Sequence, residues 1–218
     1  MIWLVGNRGM LGTEVQSRLR ARNLEHAATD LDVDIADGRA LERFADPLDL
    51  SWIVNCSAYT AVDRAEDEPD QAFRINAEGV RNLALAAGVK QARLLHISTD
   101  YVFDGMKEGP YLEEDDPNPL GVYGRSKLQG EVCIRENWGR HVILRTAWLY
   151  GTGGNNFVRT MLRLFREREE VRVVADQWGS PTLAGDLADA ILRIITRDAV
   201  PYGTYHFTNE GRTNWFEF

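Results

Sequence analysis

The chain has 218 residues, 44% hydrophobic and 27% charged, a balance suited to one substantial α/β domain or a domain with a small appendage. A formal net charge of −8 without a basic block gives nucleic-acid binding little support, and no apolar run approaches the roughly 18 residues of a membrane span. Two cysteines, Cys56 ending an apolar run and Cys133 in a helical pattern, make no disulfide framework, and both read as buried thiols. The opening MIWLVGNRGML lacks the charged leader and apolar core of a secretion signal, so the expected compartment is the cytoplasm.

Short apolar runs alternate with helical patterns along the chain. IWLV (2–5), HAAT (26–29), WIVNC (52–56), RLLHIS (93–98), HVILRT (141–146) and VRVVA (171–175) read as strands, HAAT being the weakest. Helical patterns fall near 10–22, 39–46, 70–88, 122–137, 157–168 and 184–197. Such alternation predicts a doubly wound parallel sheet of the Rossmann type with helices on both faces. Residues 1–150 are expected to form the Rossmann-type domain. Residues 151–218 are expected to supply a partial substrate-binding portion interleaved with the last Rossmann elements. The stretch 101–121 is rich in Gly, Pro and acidic residues, and a loop of that length is more often functional than idle. At its end Asn118 is the expected N-cap and Pro119 the first helical position, which puts Tyr123 in the opening turns of the next helix. The final TNWFEF resembles the opening of an amphipathic helix, so a longer parent chain is expected.

After the first strand comes GNRGMLG, with Gly6, Gly9 and Gly12 three apart. A strand-to-helix turn that receives a pyrophosphate needs such residues for the tight turn, for phosphate approach and for close helix–strand packing. The helix start then offers free N–H groups and a positive dipole end. Asp30, 18 residues past Gly12, fits the acid that holds ribose hydroxyls, although Asp32, Asp34 and Asp37 make a solvated acidic turn an alternative. An acid there favours NAD, whereas Arg8 in the glycine loop suits a 2′-phosphate, so NADH and NADPH both stay open.

STDYVF (98–103) ends the fourth strand at the edge where open α/β sheets bind ligands. Ser98 and Thr99 are candidates to hydrogen-bond a substrate oxygen and Asp100 to orient or accept, with turn formation the alternative. In VYGRSKLQGE, Tyr123 and Lys127 are four apart and share a helix face. A phenol with pKa near 10 shuttles protons poorly at neutral pH, and a nearby ammonium favours its ionised form. Lys127 is one of only three lysines in the chain, with Lys90 and Lys107. An ammonium can also bond a ribose in a way a planar guanidinium does not imitate.

GNRGMLG, VNCSAYTAVDRAEDEP, INAEGVRNL, STDYVFDG, NPLGVYGRSKLQGE, RTAWLYG, GNNFVRTMLRL and DQWGSPT together resemble the dTDP-4-dehydrorhamnose reductases, a family of the extended short-chain dehydrogenase/reductases. The resemblance runs from residue 1 to about 218. It implies reduction of a dTDP-sugar, the 4-keto group of dTDP-4-dehydro-L-rhamnose, to dTDP-L-rhamnose by NADPH or NADH. It places Tyr123 as proton donor, Lys127 as its modulator and ribose ligand, Thr99 as the carbonyl-oriented hydroxyl and Asp100 against the sugar. Gly9, Met10 and Leu11 would meet the pyrophosphate, Asp30, Asp34 and Ile35 the adenosine half, and Ala58, Tyr59 and Thr60 the cofactor beyond the third strand. Trp148 would pack on the sugar or serve as a core aromatic. Asn76 is implied in a proton relay or as a plain helix-face amide. Asn155 and Asn156 would reach substrate phosphates or cap the following helix, and Trp178 would shape the sugar pocket or a turn. Some members form homodimers with Mg²⁺ between subunits, at glutamates that include the match to Glu14; the other ligands find no match here, and no metal is expected. Two other readings of the same fold are a non-catalytic NADP-binding regulatory subunit and an epimerase or dehydratase.

Overall fold

The computed structural model describes residues 1–218. Six parallel strands form the central sheet: β1 (Ile2–Val5), β2 (His26–Thr29), β3 (Trp52–Asn55), β4 (Arg93–Thr99), β5 (His141–Thr146) and, after three short strands, β9 (Gly203–His206). Their spatial order is β2-β1-β3-β4-β5-β9. The chain winds outward to β2 on one side of β1 and toward β9 on the other, so the order reverses between β1 and β3. A crevice at the carboxyl ends of those two strands is where such sheets bind ligands.

Both faces of the sheet are covered, and the period of two sorts the strand residues between them. Ile2, Leu4, Trp52, Val54, Leu95, Val142 and Leu144 pack against Leu11, Val15 and Leu19 of α1 (Met10–Ala21) and Leu187, Ile191 and Ile195 of α8 (Ala184–Ile195). Trp3, Val5, Ile53, Leu94 and Ile143 meet α2 (Gly38–Ala45), α5 (Val80–Lys90) and Ile134 of α6 (Val122–Asn137). The central strands are buried on both sides, which is why they read as unbroken apolar runs. No helix is long and apolar enough to cross a membrane.

Three expectations need correction. VRVVA (171–175) is not a strand; Val174 is exposed and the segment pairs with nothing, while GTYH (203–206) forms β9 beside β5. As an edge strand β9 is only half-buried throughout, so it carries no apolar run to find. The helix expected over 70–88 is composite. It comprises α4 (Pro69–Phe73) with proline at its start, a π-helical turn over Arg74–Gly79, and α5, while a separate short helix, α3 (Val62–Asp67), precedes it. Lastly, α6 begins at Val122 after Gly121, and not at Pro119. Asn118 instead donates to Asp104 within the loop, and the Val122 amide is taken by the Glu66 carboxylate at 2.7 Å. Glu66 therefore supplies from α3 the negative charge that the α6 N-terminus lacks locally.

The remaining elements are short: β6 (Leu149–Tyr150) pairs with β8 (Thr182–Leu183), α7 spans Phe157–Glu167, and β7 (Trp178–Gly179) pairs with β10 (Thr213–Asn214). After β10 the chain makes one helical turn, with Phe218 N–H donating to Asn214 O and Glu217 N–H to Asn214 Oδ1.

Candidate active site

At the end of β1, Gly6 adopts φ +79°, and a Cβ there would lie 2.6 Å from the Ser57 amide nitrogen. A Cβ on Gly12 would fall 2.0 Å from Gly6 O. These two glycines let the loop turn tightly against β3 and let α1 pack under it. Gly9 is extended and has ordinary room, so it is the one with space above its backbone. The amides of Met10, Leu11 and Gly12 open α1 with no side-chain cap on Gly9 and no acidic residue in the first turn. Free N–H groups, no competing carboxylate and a positive dipole end fit a pyrophosphate.

The acidic turn after β2 has divided its labour. Asp30 accepts from the Arg8 amide at 2.9 Å and so ties the glycine loop to the end of β2. Asp32 accepts from the Asp30 amide, and Asp37 caps α2 through the Arg39 and Ala40 amides. Asp34 pairs with Arg74, a cation that sequence reading overlooked. Ile35 is buried against Gly79, where a Cβ would come within 2.5 Å of it.

Beyond β3, Ala58, Tyr59 and Thr60 line the same edge, and Tyr59 is held at both backbone polar groups. Asn76 Oδ1 accepts from Tyr59 N–H at 2.9 Å, and Asn76 Nδ2 donates to Tyr59 O and to Ser126 Oγ, both at 3.0 Å. Buried in the π-helical turn, Asn76 thus clamps the loop beyond β3 to α6. Irregular helical turns of this kind are frequent at functional sites.

The β4 terminus divides its three residues. Ser98 turns inward and donates to Glu131 at 2.6 Å. Thr99 Oγ1 donates to Asp100 Oδ1 at 3.1 Å and accepts from the Tyr101 amide. Burial raises the Asp100 carboxyl to about 6, against the hydrogen bonds from Thr99 and backbone amides that lower it. Two close approaches bring α6 over this end. A Cβ on Gly124 would lie 2.1 Å from Tyr101 O, and one on Gly130 would lie 2.2 Å from Asn76 O. Glycine inside a helix costs stability relative to alanine, so their presence reflects the docking distance. Gly124→Ala is expected to push α6 off the Tyr101 turn and destabilise the fold by roughly 1–3 kcal/mol, the usual range of overpacking, in thermal or denaturant unfolding. Unchanged stability would mean that α6 is not docked this closely.

That docking delivers Tyr123 and Lys127. The Tyr123 ring meets Tyr101 edge to face with centroids 5.5 Å apart and packs on Ala65, Ala72 and Val122. Burial raises its phenol above the ordinary value, the Thr99 hydroxyl works against this, and Asp100 and Tyr101 add to it. Tyr123 is therefore held protonated, and no ammonium contributes to the shift; sequence reasoning expected the opposite direction from Lys127. The lysine is only 2% exposed. Its Nζ donates to Ile97 O at 2.7 Å and lies 3.2 Å from His96 Nε2. Burial lowers it to about 8, with Glu131 and Cys56 raising it.

The outer residues differ in how free they are. Trp148 sits past β5 at φ +47°, its indole stacked on Trp215 with centroids 3.6 Å apart. Asn156 caps α7 by accepting from the Arg159 amide, while its Nδ2 donates to Gly151 O and Gly153 O. It is a buried capping residue, which favours the second of its two readings. Trp178 is half exposed with Arg212 over its ring, and Glu14 is paired with Arg18. Asn155 is exposed. Both cysteines are free, but Cys56 is only half-buried by surface exposure.

Comparison with known proteins covers the whole chain. The family described as the RmlD substrate binding domain matches residues 1–218. The chain belongs to that family. It is 42% identical to the dTDP-4-dehydrorhamnose reductase of Aggregatibacter actinomycetemcomitans, over 99% of this chain and 75% of that protein. It is 41% identical to the dTDP-4-keto-6-deoxy-D-glucose reductase of Streptomyces niveus, again over 99% of the chain and 75% of the relative. The crystal structure of dTDP-4-dehydrorhamnose reductase from Bacillus anthracis in complex with NADP superposes with a TM-score of 0.95 at 43% identity, covering 99% of this chain and 76% of that one. This member of the RmlD family thus spans about three quarters of the length of those relatives.

Sequence reasoning missed Glu66, Asn55, His96 and the Glu131–Arg145 pair. Each makes its decisive contact with a partner 31 or more residues away or, for Glu131 and Arg145, on an adjoining element. The two helix-interior glycines of α6 were the one local signal on view.

Proposed function

We propose that this chain is an NAD(P)H-dependent reductase that converts the 4-keto group of dTDP-4-dehydro-L-rhamnose to the alcohol of dTDP-L-rhamnose. What carries this reading is Tyr123 and Lys127, one turn apart on a helix docked over Thr99–Asp100, at the same carboxyl edge of the sheet as the uncapped start of the glycine-loop helix. The relatives named for dTDP-4-keto sugars and the NADP-bound neighbour support the substrate class and the cofactor.

The reduced nicotinamide, when bound, supplies the hydride to the carbonyl carbon. Tyr123, kept protonated by burial, gives its proton to the carbonyl oxygen, which the Thr99 hydroxyl orients. Asp100 lies against the sugar and helps set the polarity there. Lys127 bonds the nicotinamide ribose and, in its protonated form, offsets negative charge on the phenolate left behind. Gly9, Met10 and Leu11 take the pyrophosphate, Asp30, Asp34 and Ile35 the adenosine side, and Ala58, Tyr59 and Thr60 the face beyond β3. Trp148 contributes an indole edge to the sugar pocket, and Asn156 acts through the loop that it holds against Met10.

The deciding experiment follows NADPH and NADH consumption with dTDP-4-dehydrorhamnose and, alongside, with dTDP-4-keto-6-deoxyglucose. Binding of either cofactor without oxidation by any keto sugar would replace this reading with that of a regulatory subunit. Lys127→Arg is expected to lower kcat by about tenfold or more, because a planar, permanently charged guanidinium replaces a compact ammonium at a position only 2% exposed. Wild-type turnover in that variant would reduce the lysine to a bare positive charge.

A further inference from the structure

His96 lies in β4, completely buried, facing Asn55 of β3 and Lys127 of α6. Asn55 Oδ1 accepts both from the Ser57 amide at 3.0 Å and from Ser57 Oγ at 2.6 Å. Those two donors fix the amide, so Asn55 Nδ2 is the atom that faces His96 Nδ1, at 3.0 Å. An amide NH₂ can only donate, which makes Nδ1 the acceptor and places the single proton of a neutral imidazole on Nε2. That N–H points at Lys127 Nζ, 3.2 Å away. An ammonium has donors only, so here donor would meet donor. An amine resolves the conflict: its lone pair accepts from His96 Nε2–H, one N–H goes to Ile97 O, and one remains for the site.

We propose that His96 is a positioning residue whose tautomer, locked by Asn55, keeps Lys127 from being a permanent ammonium. The inference rests on the reading of Tyr123 and Lys127 as the reducing pair. An imidazolium gives no escape, since burial, and then the charge of Lys127, holds His96 well below its ordinary range. The other groups facing Lys127 do not reverse the effect. Cys56, beyond β3, is pushed by burial up to about 12 and stays neutral, while Glu131 on the same helix is paired with Arg145 and Arg135. Tyr123, also on that helix, is held protonated. A lysine that titrates near neutral pH can take a proton from water and pass it as an ammonium to the Tyr123 phenolate, replacing the proton that each reduction consumes, which arginine cannot do.

The chain has only three lysines and four histidines, so isotope-edited NMR resolves each without cofactor or substrate. In protein labelled with ¹⁵N-histidine, His96 is expected as the Nε2–H tautomer; an Nδ1–H signal overturns the proposal. In a pH titration with labelled lysine, Lys127 is expected to lose its proton at least about one unit below Lys90 and Lys107, and titration together with them overturns it as well. Asn55→Asp replaces the donor by an acceptor, so the ring should invert, and the alkaline limb of kcat should move up by about one pH unit or more. An inverted ring with an unmoved Lys127 titration and an unmoved limb would also refute it. The two NMR readouts on unaltered protein stand even if that variant does not fold. They stand too if no keto sugar is reduced, in which case the failure belongs to the functional reading alone.

Discussion

Tyr123→Phe is expected to lower kcat by roughly 10²–10⁴, the usual contribution of a positioned general acid, with NADPH affinity little changed. Phenylalanine keeps the ring, so the edge-to-face contact with Tyr101 and the packing on Ala65, Ala72 and Val122 survive. Only the hydroxyl beside Thr99 is removed, and the loss therefore reports chemistry and not unfolding. Steady-state turnover together with a cofactor-binding titration separates the two: lower kcat with intact binding is the expected pair of results. Turnover near wild type would remove Tyr123 from the reaction, and lost NADPH binding would point to a structural role for the hydroxyl.

Arg145→Met should cost about 3–5 kcal/mol of folding stability at neutral pH, the range found when one partner of a buried ion pair is deleted. Glu131 is fully buried and Arg145 is 4% exposed. The guanidinium grips the carboxylate through Nε at 3.0 Å and Nη2 at 2.8 Å, and Ser98 adds a third bond at 2.6 Å. Its Nη1 has no hydrogen-bond partner, while the guanidinium lies 5.0 Å from the centroid of the Phe103 ring. Burial works against the charged Glu131, but Arg145, Ser98 and Arg135 outweigh it and hold the carboxyl below its ordinary value of 4.5. In the wild type this pair therefore stabilises the fold above the ordinary carboxylate range, and that contribution is lost as pH falls through the depressed value. In the variant the balance tips back to burial, so Glu131 takes up a proton more easily. The stability gap between variant and wild type should then narrow as pH drops toward and below the ordinary glutamate range. Denaturant unfolding at a series of pH values measures this. A gap independent of pH would mean that the loss comes from packing and not from an abandoned charge.

Local pattern was enough where a residue's task is set by its own neighbourhood. The apolar runs at β1 and β3, and the apolar cores of β4 and β5, announce strands covered on both faces, because water is excluded from both sides of a central strand. GNRGMLG carried the tight turn and the uncapped helix start in seven consecutive residues, and four-residue spacing put Tyr123 and Lys127 on one helix face. Pattern failed at β9, whose half-buried edge position leaves no apolar signature, and at VRVVA, whose valines have no neighbouring strand to meet. It also failed at the α6 boundary, where Asn118 and Pro119 looked like a helix start but the capping charge comes from Glu66, 56 residues before Val122.

Thus the sequence by itself determined the doubly wound class, the tight glycine turn after β1 and the shared helix face of Tyr123 and Lys127, the pair proposed to react. Only the tertiary structure decided the state of that pair: the phenol held protonated by burial, and the lysine lowered in a closed space between β4 and α6. Hydrogen-bond direction and dielectric environment depend on groups that the chain brings together from far apart. The His96 tautomer is set by Asn55, 41 residues away, and reaches Lys127 another 31 residues on, a dependence that no local pattern encodes.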